Sequence, residues 1–470
     1  MSYCSPYDKT SFLYYVDENK LFSGITFFTF AVIGVFWYIL RCYSFFEKHK
    51  IPRAVTPSAP YGNIKDILFR NTTMYVFLWK YYNKFKRKGY KFAGFYLFFK
   101  PGILAVHPSL TFKILSDDRG FDNVSRKKNV LDYKKVLRMF DDSILQQLIE
   151  SSNAIKPSLE EQLAGKTPLK EVLYGFLAES SCLTFGFNKG SADVLIKSAD
   201  EKIRSGFWHY LKLVLSFTKS KSSNEDLRNF IKDVCGYRKK HDVREKDLLQ
   251  CFTDTLRDDR ESEGIIDEII EIAIENIIYS CSTVLFCLYE LASNPDIQDD
   301  LIGEIRRFNK NNSTINLDNL HHLIYLEAVV KETLRKYPPV PLVTKKPKKD
   351  YNMNDFGLDL PKSCLIFATI FGVHHDPANF PDPEAFDPDR FFEDNIKYIK
   401  PNTYFPFGLD SRNTIGFRLT NVHVELCIFN ILSSFRVDLT KKDHVLEFDN
   451  DKLVTYPKEP LPLRFELLTN

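Results

Sequence analysis

The sequence predicts a mainly α fold with small β-sheets, carried behind an N-terminal transmembrane helix. Three observations predict it. Residues 21–40, LFSGITFFTFAVIGVFWYIL, are twenty consecutive uncharged residues, close to the length that crosses a bilayer as a helix. From about Pro108 to Leu301 apolar residues recur at spacings of three and four, with short polar breaks such as Asn188-Lys189-Gly190 and Lys219 to Asn224. Strand-like runs are few and short: Phe92 to Phe99, Ile103 to Val106, Pro341 to Thr344 and Leu365 to Ile370.

The totals agree. An apolar share of 44% and a charged share of 27% are those of a globular protein. No internal repeat divides the chain. A net charge of +3 gives no basis for a nucleic-acid partner. Nine cysteines form an odd set without a Cys-x-x-Cys pair, and several lie in apolar helical runs. That pattern fits reduced, buried thiols better than a disulfide framework or a zinc site.

Taken in order, residues 1–20 form a lumenal tail and 21–40 the anchor. A cleaved signal peptide fits less well, because the apolar run is long, begins twenty residues in and lacks a small-x-small cleavage site. Arg41, Lys48, Lys50 and Arg53 follow the span, so the positive-inside rule puts the body of the chain in the cytoplasm. Residues 41–62 are basic, then proline-rich, and read as a semi-rigid linker. Residues 63–470 make the domain. Lys80 to Lys91 (KYYNKFKRKGYK) admits two readings, a surface resting on anionic lipid or a solvated helix face with buried tyrosines. Pro101-Gly102 reads as the turn between the first two strands. A central buried helix spans about Ser262 to Ser293 and stops at Asn294-Pro295; a second, Leu317 to Lys336, stops at Tyr337-Pro338-Pro339.

Three stretches carry chemistry. Phe405-Pro406-Phe407-Gly408-Leu409-Asp410-Ser411-Arg412-Asn413-Thr414-Ile415-Gly416 is a glycine-punctuated loop that opens a long apolar helix, to about Phe435. Such a loop aims backbone N–H groups and a positive helix end at an anionic ligand. Glu332 and Arg335 lie three apart on one helix face, where carboxylate and guanidinium can pair. Phe386-Asp387-Pro388-Asp389-Arg390-Phe391 follows His374-His375-Asp376-Pro377 in a Pro- and Asp-rich coil. The two histidines suggest a metal site; local hydrogen bonds in the coil are the plainer reading.

Together these motifs, in this order and spacing, resemble the cytochrome P450 family, of the animal microsomal, xenobiotic-metabolising type. The loop resembles its haem-binding loop, Phe-x-x-Gly-x-Arg-x-Cys-x-Gly, with Phe407, Arg412 and Gly416 in place and Gly408 as the usual small residue. The resemblance implies haem as cofactor, a structural triad of Glu332, Arg335 and Arg390, and an NADPH-cytochrome reductase as partner. It also implies an endoplasmic reticulum membrane location and small hydrophobic substrates.

Four departures fall in the catalytic apparatus. Thr414 stands where the iron's axial cysteine belongs; a threonine hydroxyl does not ionise as a thiol does and is not expected to ligate iron. Asp410 replaces a loop glycine, adding bulk and charge. On the central helix the family's Ala/Gly-Gly-x-acid-Thr falls on Glu275-Asn276-Ile277-Ile278-Tyr279, so Ile278 and Tyr279 replace the oxygen-activating acid and alcohol. The Trp-x-x-x-Arg helix is missing, since the tryptophans are Trp37, Trp79 and Trp208. Lys345 stands where a strand arginine meets a haem propionate, a milder change. The expectation is a membrane-anchored family member impaired or inactive as a monooxygenase, retaining haem or hydrophobic-ligand binding. One alternative is an active haem monooxygenase. Another is a non-catalytic regulator competing for the reductase, against which the shortened proximal region counts.

Overall fold

The computed structural model describes residues 9–468 except 54, 70, 125–139, 189, 205–224, 256–258, 313, 410–412 and 442, with side chains described outside 9–25, 255, 259–263 and 413–416. The helices that matter below are α1 (Lys9–Tyr43), α2 (Met74–Arg87), α3 (Pro108–Ser116), α4 (Asp142–Ala164), α5 (Leu169–Phe185), α6 (Ser191–Arg204), α7 (Asp259–Ser293), α8 (Pro295–Asn311), α9 (Ile324–Lys336), α10 (Ile370–His374) and α11 (Asn413–Leu432). The architecture is mostly helical with small sheets, as the sequence predicts.

Helix α7 is apolar through its middle because it is surrounded. Ile269, Ala273, Ile277, Cys281, Val284 and Leu288 are all buried, and α5, α6, α9 and α11 pack around it. From Gly264 to Ser293 it is long and apolar enough to cross a membrane, yet it is mostly buried in the protein. Asn294 ends it, and Pro295 starts α8 at a position where a missing N–H costs nothing. None of the eight described cysteines forms a disulfide.

Strands β1 (Phe92–Leu97), β2 (Lys100–Ala105), β3 (Phe121–Asn123), β4 (Leu342–Pro347) and β7 (Leu365–Thr369) make one sheet in the order β1-β2-β7-β4-β3, in which only β2 and β7 run parallel. Two hairpins, β5 (Tyr351–Met353) with β6 (Leu358–Leu360) and β8 (Phe435–Leu439) with β9 (Leu463–Leu467), lie apart from it.

Three local expectations are corrected. The first hairpin turns at Phe98-Phe99, with Phe98 at φ 53°, and not at Pro101-Gly102. Gly102 serves packing instead: a Cβ there would fall 2.8 Å from the Phe367 ring. The helix expected over Leu317 to Lys336 is two, Leu317–Leu320 and α9, because Asn316 caps the first and the chain turns at His321-His322. The stretch after the anchor, expected to be a basic, Pro-rich and semi-rigid linker, is docked on the domain. Phe46 is fully buried against Gly94, where a Cβ would lie 2.6 Å from its ring. The Tyr96 hydroxyl donates to the Tyr43 carbonyl at 2.9 Å, and the Gly94 N–H donates to the Pro52 carbonyl at 2.8 Å.

Helix α1 carries an apolar stretch, Thr26–Tyr43, with none of it buried in the protein, as a membrane segment requires. In α2 the tyrosine at 82 is buried, its hydroxyl donating to Asp376 at 2.8 Å, while Lys80, Lys84, Arg87 and Lys88 face solvent.

Candidate cofactor site

The site is built on α9. Glu332 and Arg335 are both fully buried, and a buried charge is tolerable only when paired and hydrogen-bonded. Arg335 forks onto Glu332, with Nε to Oε2 at 2.7 Å and Nη2 to Oε1 at 2.8 Å. Its remaining donors reach the carbonyls of His374, Pro383 and Ala385 at 3.1, 2.8 and 3.2 Å. The Asp387 N–H donates to Glu332 Oε1 at 3.0 Å. Burial raises the Glu332 carboxyl above its ordinary range, against the pull of Arg335. Arg390 comes to 3.5 Å of Glu332 Oε1, an ion-pair distance rather than a hydrogen bond, and its Nη2 donates to the Asp382 carbonyl at 3.1 Å. The three residues singled out as a triad are thus together, with Arg390 as its looser member.

His374 joins this cluster to the loop. Its Nε2 accepts the Phe405 N–H at 3.1 Å, which puts the ring proton on Nδ1, facing the Arg335 carbonyl at 3.1 Å. Burial and the Arg335 charge push the ring well below the ordinary imidazole range, so it is neutral. His375 stacks on Phe371 and directs Nδ1 at the Phe371 carbonyl, 2.9 Å away. His375 thus makes the local hydrogen bond of the plainer reading, whereas His374, at the end of α10, bonds to backbone groups far away in sequence.

In the loop, Phe405 and Phe407 are buried, and the Gly408 N–H donates to the Phe405 carbonyl at 2.9 Å. Gly408 sits at φ 80°, a conformation that favours glycine. Asp410 and Arg412 lie outside the described residues. Thr414 and Gly416 fall in the first turn of α11, and the side chain of Thr414 lies outside the described ones.

Opposite the loop stands α7. Ile278 is buried among apolar neighbours. The Tyr279 ring lies 6.1 Å from that of Phe407, which in turn meets Phe417 edge-on at 5.3 Å. One turn earlier, Asn276 is buried in a polar network that the sequence reading missed. Its Nδ2 donates to His423 Nδ1 at 2.9 Å and to Ser181 Oγ at 3.4 Å; its Oδ1 accepts from Thr420 at 3.2 Å and Ser280 at 3.3 Å. His423 Nε2 then donates to Ser180 Oγ, 2.6 Å away, and Ser180 donates to the Phe176 carbonyl. Burial pulls His423 down to about 3. The signal was present: an asparagine and a histidine within otherwise apolar helices must find partners.

One turn from Tyr279, on the same face of α7, Lys202 of α6 pairs with Glu271 and, at 3.1 Å, with Glu275. Lys345 is buried on β4, and its ammonium donates to the Leu115 carbonyl at 2.7 Å and to Asp118 at 3.0 Å. An open groove of about 350 Å³ along the helix Glu225–His241, lined by Phe230, Val234 and Tyr237 among others, shares no residue with the loop.

A fold of this class, with a buried Glu–Arg pair behind a glycine-punctuated loop, marks a known family of haem proteins. The chain belongs to the cytochrome P450 family, whose profile matches residues 206–465. It is similar to probable cytochrome P450 6d4 of Drosophila melanogaster, 25% identical over 91% of this chain and 95% of that protein. It is also similar to cytochrome P450 6B4 of Papilio glaucus, 37% identical over 38% of this chain and 36% of that one. Cytochrome P450 3A27 of Oncorhynchus mykiss is 34% identical over 46% of this chain and 43% of its own length.

The family is one of haem proteins, and the residues present do not fit a haem held by a thiolate. Position 414 offers an alcohol, and Cys427 lies eleven residues beyond Gly416 on the same helix, on the order of 16 Å along its axis. Tyr279 of α7 and Phe407 of the loop meet ring to ring. Their 6.1 Å separation is within the range of directly touching rings, about 4.5–7 Å. The ammonium of Lys345 is directed at protein acceptors.

Proposed function

We propose that this chain is a membrane-anchored cytochrome P450-fold protein that does not carry out the family's thiolate-dependent monooxygenase reaction. The observation that carries the reading is the pairing of Thr414, where the iron's cysteine belongs, with a tyrosine at 279 laid against Phe407. Ligand, acid and alcohol are replaced together, while the scaffold pair Glu332–Arg335 is kept. Such a pattern fits a protein selected for its fold and no longer for oxygen activation. The anchor α1 and the basic residues after it support a single-pass protein with its domain on the cytoplasmic side of the endoplasmic reticulum membrane. A small hydrophobic compound remains the class of ligand the family suggests.

The test is spectroscopic. Full-length protein is expressed in membranes with haem supplied, reduced, and exposed to carbon monoxide. The expected result is no thiolate–haem band. Its appearance would sink the proposal and support an active monooxygenase.

A further inference from the structure

We infer that this chain closes the family's cofactor cleft with its own side chains and reaches its native state without haem. The inference rests on the reading just proposed and goes beyond it, from a missing reaction to a fold completed in another way.

Three ties carry it, each made by a residue that differs from the family's pattern. The first is Asn276, at the position of a family glycine. A glycine leaves room beside the helix; Asn276 fills that room and joins α7 to α11 through Thr420 and His423, and to α5 through Ser181. Both heteroatoms of its amide are hydrogen-bonded, two contacts on each. A buried polar network of this kind is stable only when its members are satisfied. This one is satisfied by protein alone. The second tie is Tyr279, at the position of the family's threonine. Its ring reaches Phe407, which packs on Phe417, so a continuous aromatic column runs from α7 through the loop into α11. The third is Glu275, at the position of a family alanine or glycine. With Glu271 it holds Lys202, which binds α6 onto α7 one turn from the tyrosine. Residues 275, 276 and 279 thus tie α7 to α6, to α5 and α11, and to the loop. Each of the three side chains is engaged by a protein partner: Lys202, the network of Thr420, His423 and Ser181, and Phe407.

Haem stabilises a protein by binding its native state. A chain whose cleft is already closed gains nothing from it. The experiment uses the full chain, expressed in cells that make no haem, purified in detergent and melted with and without added hemin. The expected result is one cooperative transition by near-ultraviolet circular dichroism, with a midpoint that saturating hemin moves by less than about 1 °C. A broad, non-cooperative melt, or a rise of about 5 °C or more with a Soret band, overturns the inference. If that hemin-bound protein shows no thiolate band with carbon monoxide, the proposed function stands while the inference falls; if it shows one, both fall. A variant tests the filling directly. Tyr279→Ala is expected to melt several degrees below the parent without hemin. An unchanged midpoint would mean that the ring fills nothing, and overturns the inference.

Discussion

His374 Nε2 accepts the N–H of Phe405 at 3.1 Å, and through this bond the α9 cluster grips the start of the loop. The opposite ring nitrogen faces the Arg335 carbonyl. One neutral imidazole therefore satisfies two buried backbone groups thirty-one and thirty-nine residues away. His374→Phe keeps a ring of similar shape beside Tyr404 but can serve neither group. Each orphaned group costs about 1–3 kcal/mol. Urea unfolding should show a loss of about 2–5 kcal/mol, with the slope unchanged; a loss below 1 kcal/mol would mean that water reaches both groups.

The triad makes a graded prediction. Arg335→Lys replaces a fork with a point charge and leaves Glu332 partly unpaired in a fully buried site. Breaking a buried pair costs about 3–5 kcal/mol. Arg390→Ala removes two 3.5 Å approaches, to Glu332 and Asp387, and one carbonyl bond, so about 1 kcal/mol is expected. Equal costs in chemical denaturation would contradict the geometry, which ranks Arg390 as the looser partner.

Acid stability depends in part on three buried rings, those of His374, His375 and His423. Burial pulls both His423 and His375 down to about 3, against about 6.5 in an unfolded chain. Between these values the unfolded chain binds protons that the folded chain excludes. The stability these rings contribute is therefore fully present above about pH 6.5 and is lost as the pH drops toward 3. His423→Gln is expected to be less stable at pH 7, because the bonds to Asn276 and Ser180 are disturbed. It should also lose less between pH 6.5 and 4.5, giving a shallower acid limb in denaturant titrations. A limb as steep as the parent's would show that His423 is not among the groups responsible.

Much of this structure was legible because local pattern and tertiary role agree. The apolar run of α7, the Glu332–Arg335 spacing and the loop glycines each announce an element whose neighbours are close in sequence or fixed by the motif. The Asn276 network was not legible as a network. Its bonds join residues 147 and 243 apart, and nothing local to Ser180 or His423 says that they meet. Pro101-Gly102 misled for a related reason. The dipeptide has turn chemistry, but Gly102 is needed for the close approach of Phe367 from a distant strand. The docking of residues 41–53 was hidden by their proline and basic residues, which suggest a linker. Phe46 was the visible clue, an aromatic side chain that a solvated linker has no reason to hold.

That docking is testable. Phe46→Ala empties a fully buried site beside Gly94, and removing a buried phenylalanine costs about 3–5 kcal/mol. The local effect should exceed the global one, because the lost contact is what holds the segment after α1 to β1. Limited trypsin digestion of membrane-bound protein is expected to cut at Lys48, Lys50 or Arg53 much faster in the variant. Equal cleavage rates would show that the segment is held by its backbone bonds to Tyr43, Phe46 and Pro52 without the ring.

On the proposed function, Thr414→Cys supplies the family's iron ligand at the loop position and changes nothing else. A thiol there would sit in the first turn of α11, where the positive helix end lowers its pKa and favours the thiolate. If one substitution had disabled this protein, one reversal should restore it. The other losses argue otherwise. Tyr279 still lies against Phe407, Asn276 still binds Thr420 and His423, and Ile278 still cannot pass a proton. The single variant is therefore expected to oxidise no substrate when supplied with reductase and NADPH. Adding Asn276→Gly and Tyr279→Thr should be needed before hemin gives a thiolate band with carbon monoxide. Turnover by Thr414→Cys alone would show that the cleft opens readily around haem, and that residue 414 is the only barrier to the family's chemistry.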